Sequence, residues 1–213
     1  MKRNLTIPQS ASQTAPFTQG GLIIGITGGT GCGKTTLLNT IAEAGGLILD
    51  CDAIYHELLQ SDPSLLAAIE QRFPGTVENG QLQRKRLGAI VFSDEKSLLD
   101  LNAITHAAVK AEVQRRLEAK PALAAIDAIA LFEGGLAELC DTTVAITAPT
   151  EDRVRRLMLR DGISEEYARS RIAAQHEESW FRERCDCILE NNDTQVHFQE
   201  KCLAFLNACG III

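Results

Sequence analysis

The sequence predicts an α/β fold, a three-layer sandwich in which a parallel five-stranded sheet lies between helices. Three observations predict it. Short apolar runs at 22–26, 47–49, 124–131, 142–147 and 187–189 have strand length and end at turn or polar residues. The segments between them carry apolar residues at helical spacing, and strands that alternate with helices run parallel because each return needs a crossover. A glycine-rich run, residues 28–35, joins the first apolar run directly to a helical pattern.

Taken in order, the first strand at 22–26 leads through the glycine-rich run into a helix at 36–42, which Gly45 and Gly46 stop. A second strand at 47–49 ends at Asp50. Helical periodicity then runs from about 52 to 120, with helices at 53–60, 63–72, 84–92 and 94–119 and a turn at Phe73, Pro74 and Gly75, which makes this stretch a helical insert between strands. Strands at 124–131 and 142–147 follow, then helices at 151–160 and 164–175, a strand at 187–189 and a closing helix at 194–207. Residues 1–20 are polar, rich in Ser, Thr and Gln through 6–19, and are expected to be a mobile extension before a single domain at 21–213.

Composition narrows the function classes. A chain of 213 residues with 45% hydrophobic content can bury a sizeable core. No apolar run is long enough to span a bilayer, and Lys2 and Arg3 are not followed by the apolar stretch of a secretion signal, so no membrane partner is expected. Seven cysteines, an odd number without zinc-type spacing, fit a reducing cytoplasm. The net charge of −7 argues against nucleic acid as a partner. Two local basic groups, Arg84 with Lys85 and Arg86, and Arg153 with Arg155, Arg156 and Arg160, suit small phosphorylated molecules; the plain alternative for each is a solvated helix face, which for Arg84 to Arg86 alone weighs equally. Oligomeric state leaves no readable mark.

The run Gly28, Gly29, Thr30, Gly31, Cys32, Gly33, Lys34, Thr35 is a Walker A phosphate loop, set between a strand and a helix as that motif requires. Its glycines let successive backbone N–H groups face phosphate oxygens, Lys34 adds a charge, and the helix start at Thr36 adds its positive end. Thr35 offers a hydroxyl to Mg²⁺ bridging the outer phosphates of ATP. The fold is therefore read as a P-loop NTPase sandwich. Asp50 and Asp52 leave the end of a strand expected to neighbour the loop strand, and one of them suits a base for a hydroxyl acceptor; the plain alternative is that Asp52 caps the helix starting at Ala53. Because ligands sit beyond the carboxyl ends of parallel strands, the loop, these aspartates and Glu133 are expected around one cleft. Cys32 and Cys51 lie beside the same features, and a thiol at a helix N-terminus with a lowered pKa would be alkylated unless ATP protects it; the plain reading is two small residues in tight turns.

Beyond residue 21 the chain resembles the dephospho-CoA kinase family. The resemblance rests on residues 25–36, on Asp50, Asp52 and His56, on Phe73, Pro74 and Gly75, and on Gly80, Gln81 and Leu82. It extends through 84–92, Ile104, Thr105 and His106, Leu131, Phe132 and Glu133, Arg156, Arg160 and Asp161, Ala174 and Gln175, and Asp186 with Asn191. It implies transfer of the ATP γ-phosphoryl group to the ribose 3′-hydroxyl of dephospho-CoA, the last step of coenzyme A synthesis, in a single P-loop kinase domain. It makes Asp52 the catalytic base, Lys34 and the loop from Gly28 to Thr36 the ATP phosphate clamp, Thr35 the Mg²⁺ ligand and Arg160 the arginine of a lid at about 153–176. It places Asp50, His56, Arg84, His106 and Glu133 on the acceptor side, in and beside the insert at about 52–120, and Asn191 near the adenine of ATP. Departures from the family pattern stand at Ile129 and Ala130, where proline and leucine are usual, at Ala107 in place of proline, at Arg153 in place of glutamine and at Asp193 in place of glycine. A kinase for another small nucleoside or nucleotide would use the same loop, base and lid, and a non-catalytic ATP-binding module remains a third reading; a GTP switch lacks its guanine-reading motif.

Overall fold

The computed structural model describes residues 21–211, so the extension at 1–20 and the end of the apolar tail at Ile212 and Ile213 lie outside the described residues. The chain forms two compact units: residues 21–48, 120–131 and 140–211 of the described chain make one, and 49–119 with 132–139 make the other. No helix among the described residues is long and apolar enough to cross a membrane.

The first unit is built on the sheet. Strands β1 (Leu22–Thr27), β2 (Leu47–Asp50), β5 (Leu123–Asp127), β6 (Thr142–Thr147) and β7 (Cys187–Glu190) stand in the order β2-β5-β1-β6-β7. Parallel pairing joins β1 to β5 and β6, and β6 to β7. Ile24, Ile26, Ala125, Val144 and Ile146 are fully buried, as strands covered on both faces require. On the core they pack with Leu37 and Ile41 of α1 (Lys34–Glu43) and with Phe198, Cys202 and Leu206 of α9 (Gln195–Ala208). Helices α6 (Thr150–Asp161) and α7 (Glu165–Ala173) form a small helical pair around Val154, Leu157 and Ala168, with Gly162 ending α6 in the left-handed conformation that glycine tolerates best.

The second unit is helical. It holds α2 (Cys51–Ser61), α3 (Pro63–Arg72), α4 (Arg84–Val91) and α5 (Glu95–Leu117), packed around Leu59, Leu66, Ile69, Phe73, Leu87 and Val91. Asp50 caps α2 and Asp62 caps α3, whose first residue is Pro63, the position where a missing N–H costs nothing.

Several sequence expectations need correction. The strands beside the loop strand are β5 and β6, not β2. A run buried throughout, such as Leu123 to Ile126, suits a central position, whereas β2, exposed at Leu47 and Asp50, suits an edge. The strand expected at 124–131 stops at Asp127: Leu131 is fully buried, yet the chain beyond Asp127 turns, with Thr27 Oγ1 donating to the Ile129 carbonyl at 3.2 Å. Ala128 and Leu131 are buried but Ile129 is exposed, and an apolar run alone does not specify a ladder. Three short elements were not foreseen: the hairpin of β3 (Val77–Glu78) and β4 (Gln81–Leu82), a 3-10 turn at Leu136–Leu139, and α8 (Glu178–Arg184). The hairpin had a legible signal in Asn79 and Gly80, both at positive φ, the pair that a two-residue turn favours.

Candidate active site

The loop after β1 takes its shape from backbone that only glycine accepts easily. Gly28, Gly31 and Gly33 have φ of 131°, 79° and 99°. A Cβ at Gly28 would stand 2.3 Å from the Ile146 carbonyl oxygen, and one at Gly33 would stand 2.4 Å from Asn191 Nδ2. Gly33 is the N-cap of α1 and brings no side chain to its first turn, so the N–H groups there are left for an anion, where the helix dipole also favours negative charge. Lys34 Nζ donates to the Gly28 carbonyl at 3.1 Å and lies 4.0 Å from Asp127 Oδ1, with both side chains mostly buried. Thr35, in the same turn, is exposed.

The outer carbonyls of the loop are held from elsewhere in the same unit. Asn191, buried just past β7, donates from Nδ2 to the Cys32 carbonyl at 2.8 Å. Arg156 on α6 donates from Nη1 to the carbonyls of Gly31 and Cys32 at 3.2 and 3.3 Å. Arg153, one turn earlier, donates from Nε to the Thr30 carbonyl at 2.9 Å. These contacts fix the carbonyls of Thr30, Gly31 and Cys32 and so the orientation of the loop's peptides; the Cys32 N–H donates within the loop, to the Gly29 carbonyl at 3.2 Å. Arg160 stands apart from these contacts: it is exposed and pairs bidentately with Asp161 at 2.7 and 3.0 Å. The Arg160 guanidinium, with Arg171 beside it, holds the Asp161 carboxyl down at about 2.

Asp127 was not singled out from the sequence. It closes β5 opposite Ile26 and is the carboxylate nearest to Lys34 Nζ in the ion-pair geometry just given. The same reasoning that drew attention to Asp50, a carboxylate at the end of an apolar run, applied to it equally.

The remaining residues belong to the second unit. Asp50 accepts from the N–H groups of Asp52 and Ala53 through one oxygen, at 2.9 and 3.0 Å, so Asp50 is the cap of α2 and the plain alternative, that Asp52 caps it, is overturned. The chain enters the helix one residue earlier than the pattern at Ala53 suggested, and this shifts the capping position to 50. Asp52 is exposed in the first turn. His56 is exposed one turn on, and its Nδ1 lies 2.8 Å from the Asp52 carbonyl, which only accepts, so this hydrogen bond needs the proton on Nδ1. Tyr55 packs beside it, its hydroxyl pKa raised by burial and partly offset by the charge of Arg84, the exposed first residue of α4. His106 is half-buried in α5, and Glu133 is exposed in the stretch before the 3-10 turn.

Cys32 departs from its expected chemistry. Its thiol is buried, 3% exposed, and burial pushes its pKa up; the nearby charges of Arg153, Lys34 and Arg156 offset this only in part. Desolvation of the thiolate outweighs the helix end. Cys51 is likewise buried. Iodoacetamide at neutral pH is therefore expected to label neither residue in the folded chain, with or without ATP, as read by peptide mass spectrometry. Rapid labelling of Cys32 that ATP suppresses would contradict this.

With this geometry described, comparison with known proteins places the chain. The family model described as dephospho-CoA kinase matches residues 22–197. The chain belongs to the dephospho-CoA kinase family. The dephospho-CoA kinase of Corynebacterium diphtheriae is 35% identical over 179 residues, covering 81% of this chain and 90% of that protein. That of Geobacillus kaustophilus is 35% identical over 194 residues, covering 87% and 95%. A crystal structure of TT1252 from Thermus thermophilus superposes with a TM-score of 0.76 at 33% identity, covering 89% of this chain and 98% of that one. Membership in this kinase family agrees with the parallel sheet and the glycine-shaped loop, against which Asn191 and Arg156 are hydrogen-bonded within the first unit.

Proposed function

We propose that the chain works as its family does, moving the γ-phosphoryl group of ATP to the ribose 3′-hydroxyl of dephospho-CoA to yield coenzyme A and ADP. The observation that carries the reading is the glycine-shaped loop with Lys34 in a chain of this family. The 3′-oxygen forms a bond to the γ-phosphorus, the bond from that phosphorus to the ADP oxygen breaks, and the hydroxyl proton passes to a base. Asp52 takes that proton. Lys34 and the loop from Gly28 to Thr36, through those of its N–H groups that are not bonded within the protein as those of Thr30, Cys32 and Thr36 are, hold the phosphates, and Asn191 stands on the nucleotide side. Arg160 leaves Asp161 to meet developing charge once α6 and α7 close, which excludes water and so prevents idle hydrolysis. His56, Arg84, His106, Asp50 and Glu133 serve the acceptor in the helical unit, Asp50 by fixing the start of α2 and so the direction of Asp52.

The donor set fits a hard divalent cation. Thr35 presents a hydroxyl oxygen in the first turn of α1 and Asp127 a carboxylate at the end of the strand beside β1. Among the described residues no group of three or more His, Cys, Asp or Glu is arranged to hold a metal, so the other ligands of Mg²⁺ would be phosphate oxygens and water. When bound, Mg²⁺ neutralises charge on the outer phosphates.

The deciding experiment supplies the purified chain with ATP, Mg²⁺ and, separately, dephospho-CoA, AMP, CMP, adenosine and uridine. Coenzyme A formation with kcat/KM at least about 100-fold above every other acceptor is expected, since a pocket built to hydrogen-bond its substrate discriminates strongly. Comparable turnover of a nucleoside or nucleotide would overturn the acceptor assignment, and tight ATP binding with no product from any acceptor would overturn the catalytic one.

A further inference from the structure

The departure at residue 153 sits in direct contact with the phosphate loop. Arg153 Nε donates to the Thr30 carbonyl at 2.9 Å, Arg153 Nη2 donates to Gln175 Oε1 at 3.0 Å, and the Thr30 N–H donates to the same Oε1 at 2.8 Å. The three groups close a ring that uses both backbone groups of the residue at the apex of the loop. Arg153 comes from α6, and Gln175 lies two residues beyond the end of α7, so the ring fastens the loop to both ends of this helical pair. The guanidinium also covers Gly29, where an added Cβ would stand 2.2 Å from Nη2. Neither acceptor in the ring is a carboxylate, so these hydrogen bonds leave the guanidinium charge unneutralised beside the loop.

We propose that Arg153 is a positioning residue for ATP, acting through Thr30 and Gln175: it fixes the apex of the phosphate loop against the segment that follows α7, so that gripping the phosphates and ordering that segment are one event. A glutamine in its place has a shorter stem and no charge. A lysine keeps the charge but offers a single nitrogen where the ring needs two divergent donors. The inference rests on ATP occupying the loop, and it adds a residue whose role the family pattern does not supply.

The segment carries its own reporter. Trp180 is the chain's single tryptophan and stacks on His176, the residue after Gln175, with ring centroids 3.9 Å apart. The test uses the full chain and its Arg153→Ala, Arg153→Gln, Arg153→Lys, Gln175→Ala and Arg153→Ala/Gln175→Ala variants. It measures displacement of a fluorescent ATP analogue by ATP, Trp180 emission with saturating ATP, and separate KM values for both substrates. Each single variant is expected to weaken ATP binding by about tenfold, with KM for dephospho-CoA changed by less than about twofold. The double variant should be no more than about twofold worse than the weaker single, because both substitutions break one ring. ATP should shift Trp180 emission in the wild type and by less than half as much in Arg153→Ala. Were Arg153→Ala to lose its folded melting transition, Arg153→Gln and Gln175→Ala carry the same comparison. ATP affinity within about twofold of wild type in the folded variants, full rescue by lysine, single effects that multiply in the double variant, or a Trp180 signal indifferent to ATP in the wild type each overturn the proposal. ATP displacement needs no acceptor, so failure of dephospho-CoA as substrate would leave this inference standing, and the reverse holds as well.

Discussion

Lys34→Ala is expected to lower kcat/KM by about 10³-fold or more, the largest single effect in this chain. Phosphoryl transfer has a loose transition state with charge spread over the transferred group, so a protein contributes chiefly position and opposite charge. Lys34 supplies that charge from the first residue of α1, directly after Gly33, whose positive φ is part of the loop's turn. An ammonium in a largely water-free loop is worth far more than on a surface, and about 4 kcal/mol of transition-state stabilisation corresponds to the stated loss. Stability should suffer much less, by under about 2 kcal/mol, because the Asp127 partner is at 4.0 Å, beyond hydrogen-bond reach. Steady-state kinetics beside a thermal melt would check both halves. A variant within tenfold of wild type in kcat/KM would mean that the loop amides alone hold the triphosphate.

Asp52→Asn should reduce kcat by about 10² to 10⁴ while leaving the ATP dissociation constant within about twofold. Asparagine keeps the shape of the side chain and loses the ability to take a proton. The structure also removes the competing explanation for any loss, since the cap of α2 is Asp50, whose oxygen accepts from the N–H of Asp52 and of Ala53. Folding stability should therefore fall by no more than about 1 kcal/mol, the worth of one negative charge in a first helical turn. The corresponding control, Asp50→Ala, removes the cap. Near-normal turnover in Asp52→Asn with an intact melt would end its assignment as base.

Much of the architecture was legible along the chain because it is encoded locally. The strand at 142–147 and the helix at 63–72 match their observed bounds, and the β1-loop-α1 unit could be read from glycine spacing, since residues that need positive φ announce themselves. The Asn79–Gly80 hairpin was equally local and was passed over. The apolar stretch at 128–131 misled because its side chains suit a strand, whereas in the turn Ala128 and Leu131 are buried and Ile129 is exposed.

The candidate site divides in the same way. Lys34, Thr35 and the glycines were readable as a phosphate-binding unit because eight consecutive residues hold the whole chemical logic. For Cys32 two readings stood side by side, and burial decides for the plain one, since sequence proximity to a helix start says nothing of how much protein is packed over the sulfur. Asp127 carried the same signal as Asp50, a carboxylate closing an apolar run, but its place beside Lys34 followed only from the pairing of β5 with β1.

By itself the sequence determined the class of fold, the anion-binding loop and the family, all of which depend on near neighbours and on their order. Only tertiary structure decided that β2 is an edge strand, that Asp50 rather than Asp52 caps α2, and that Arg153 and Gln175 grip Thr30. The last of these contacts joins residues 123 and 145 positions apart. No local pattern carries such information: a hydrogen bond between distant residues is chosen by the packing of the helices that bear them, and it exists only once the sheet has brought those helices to one end of the strands.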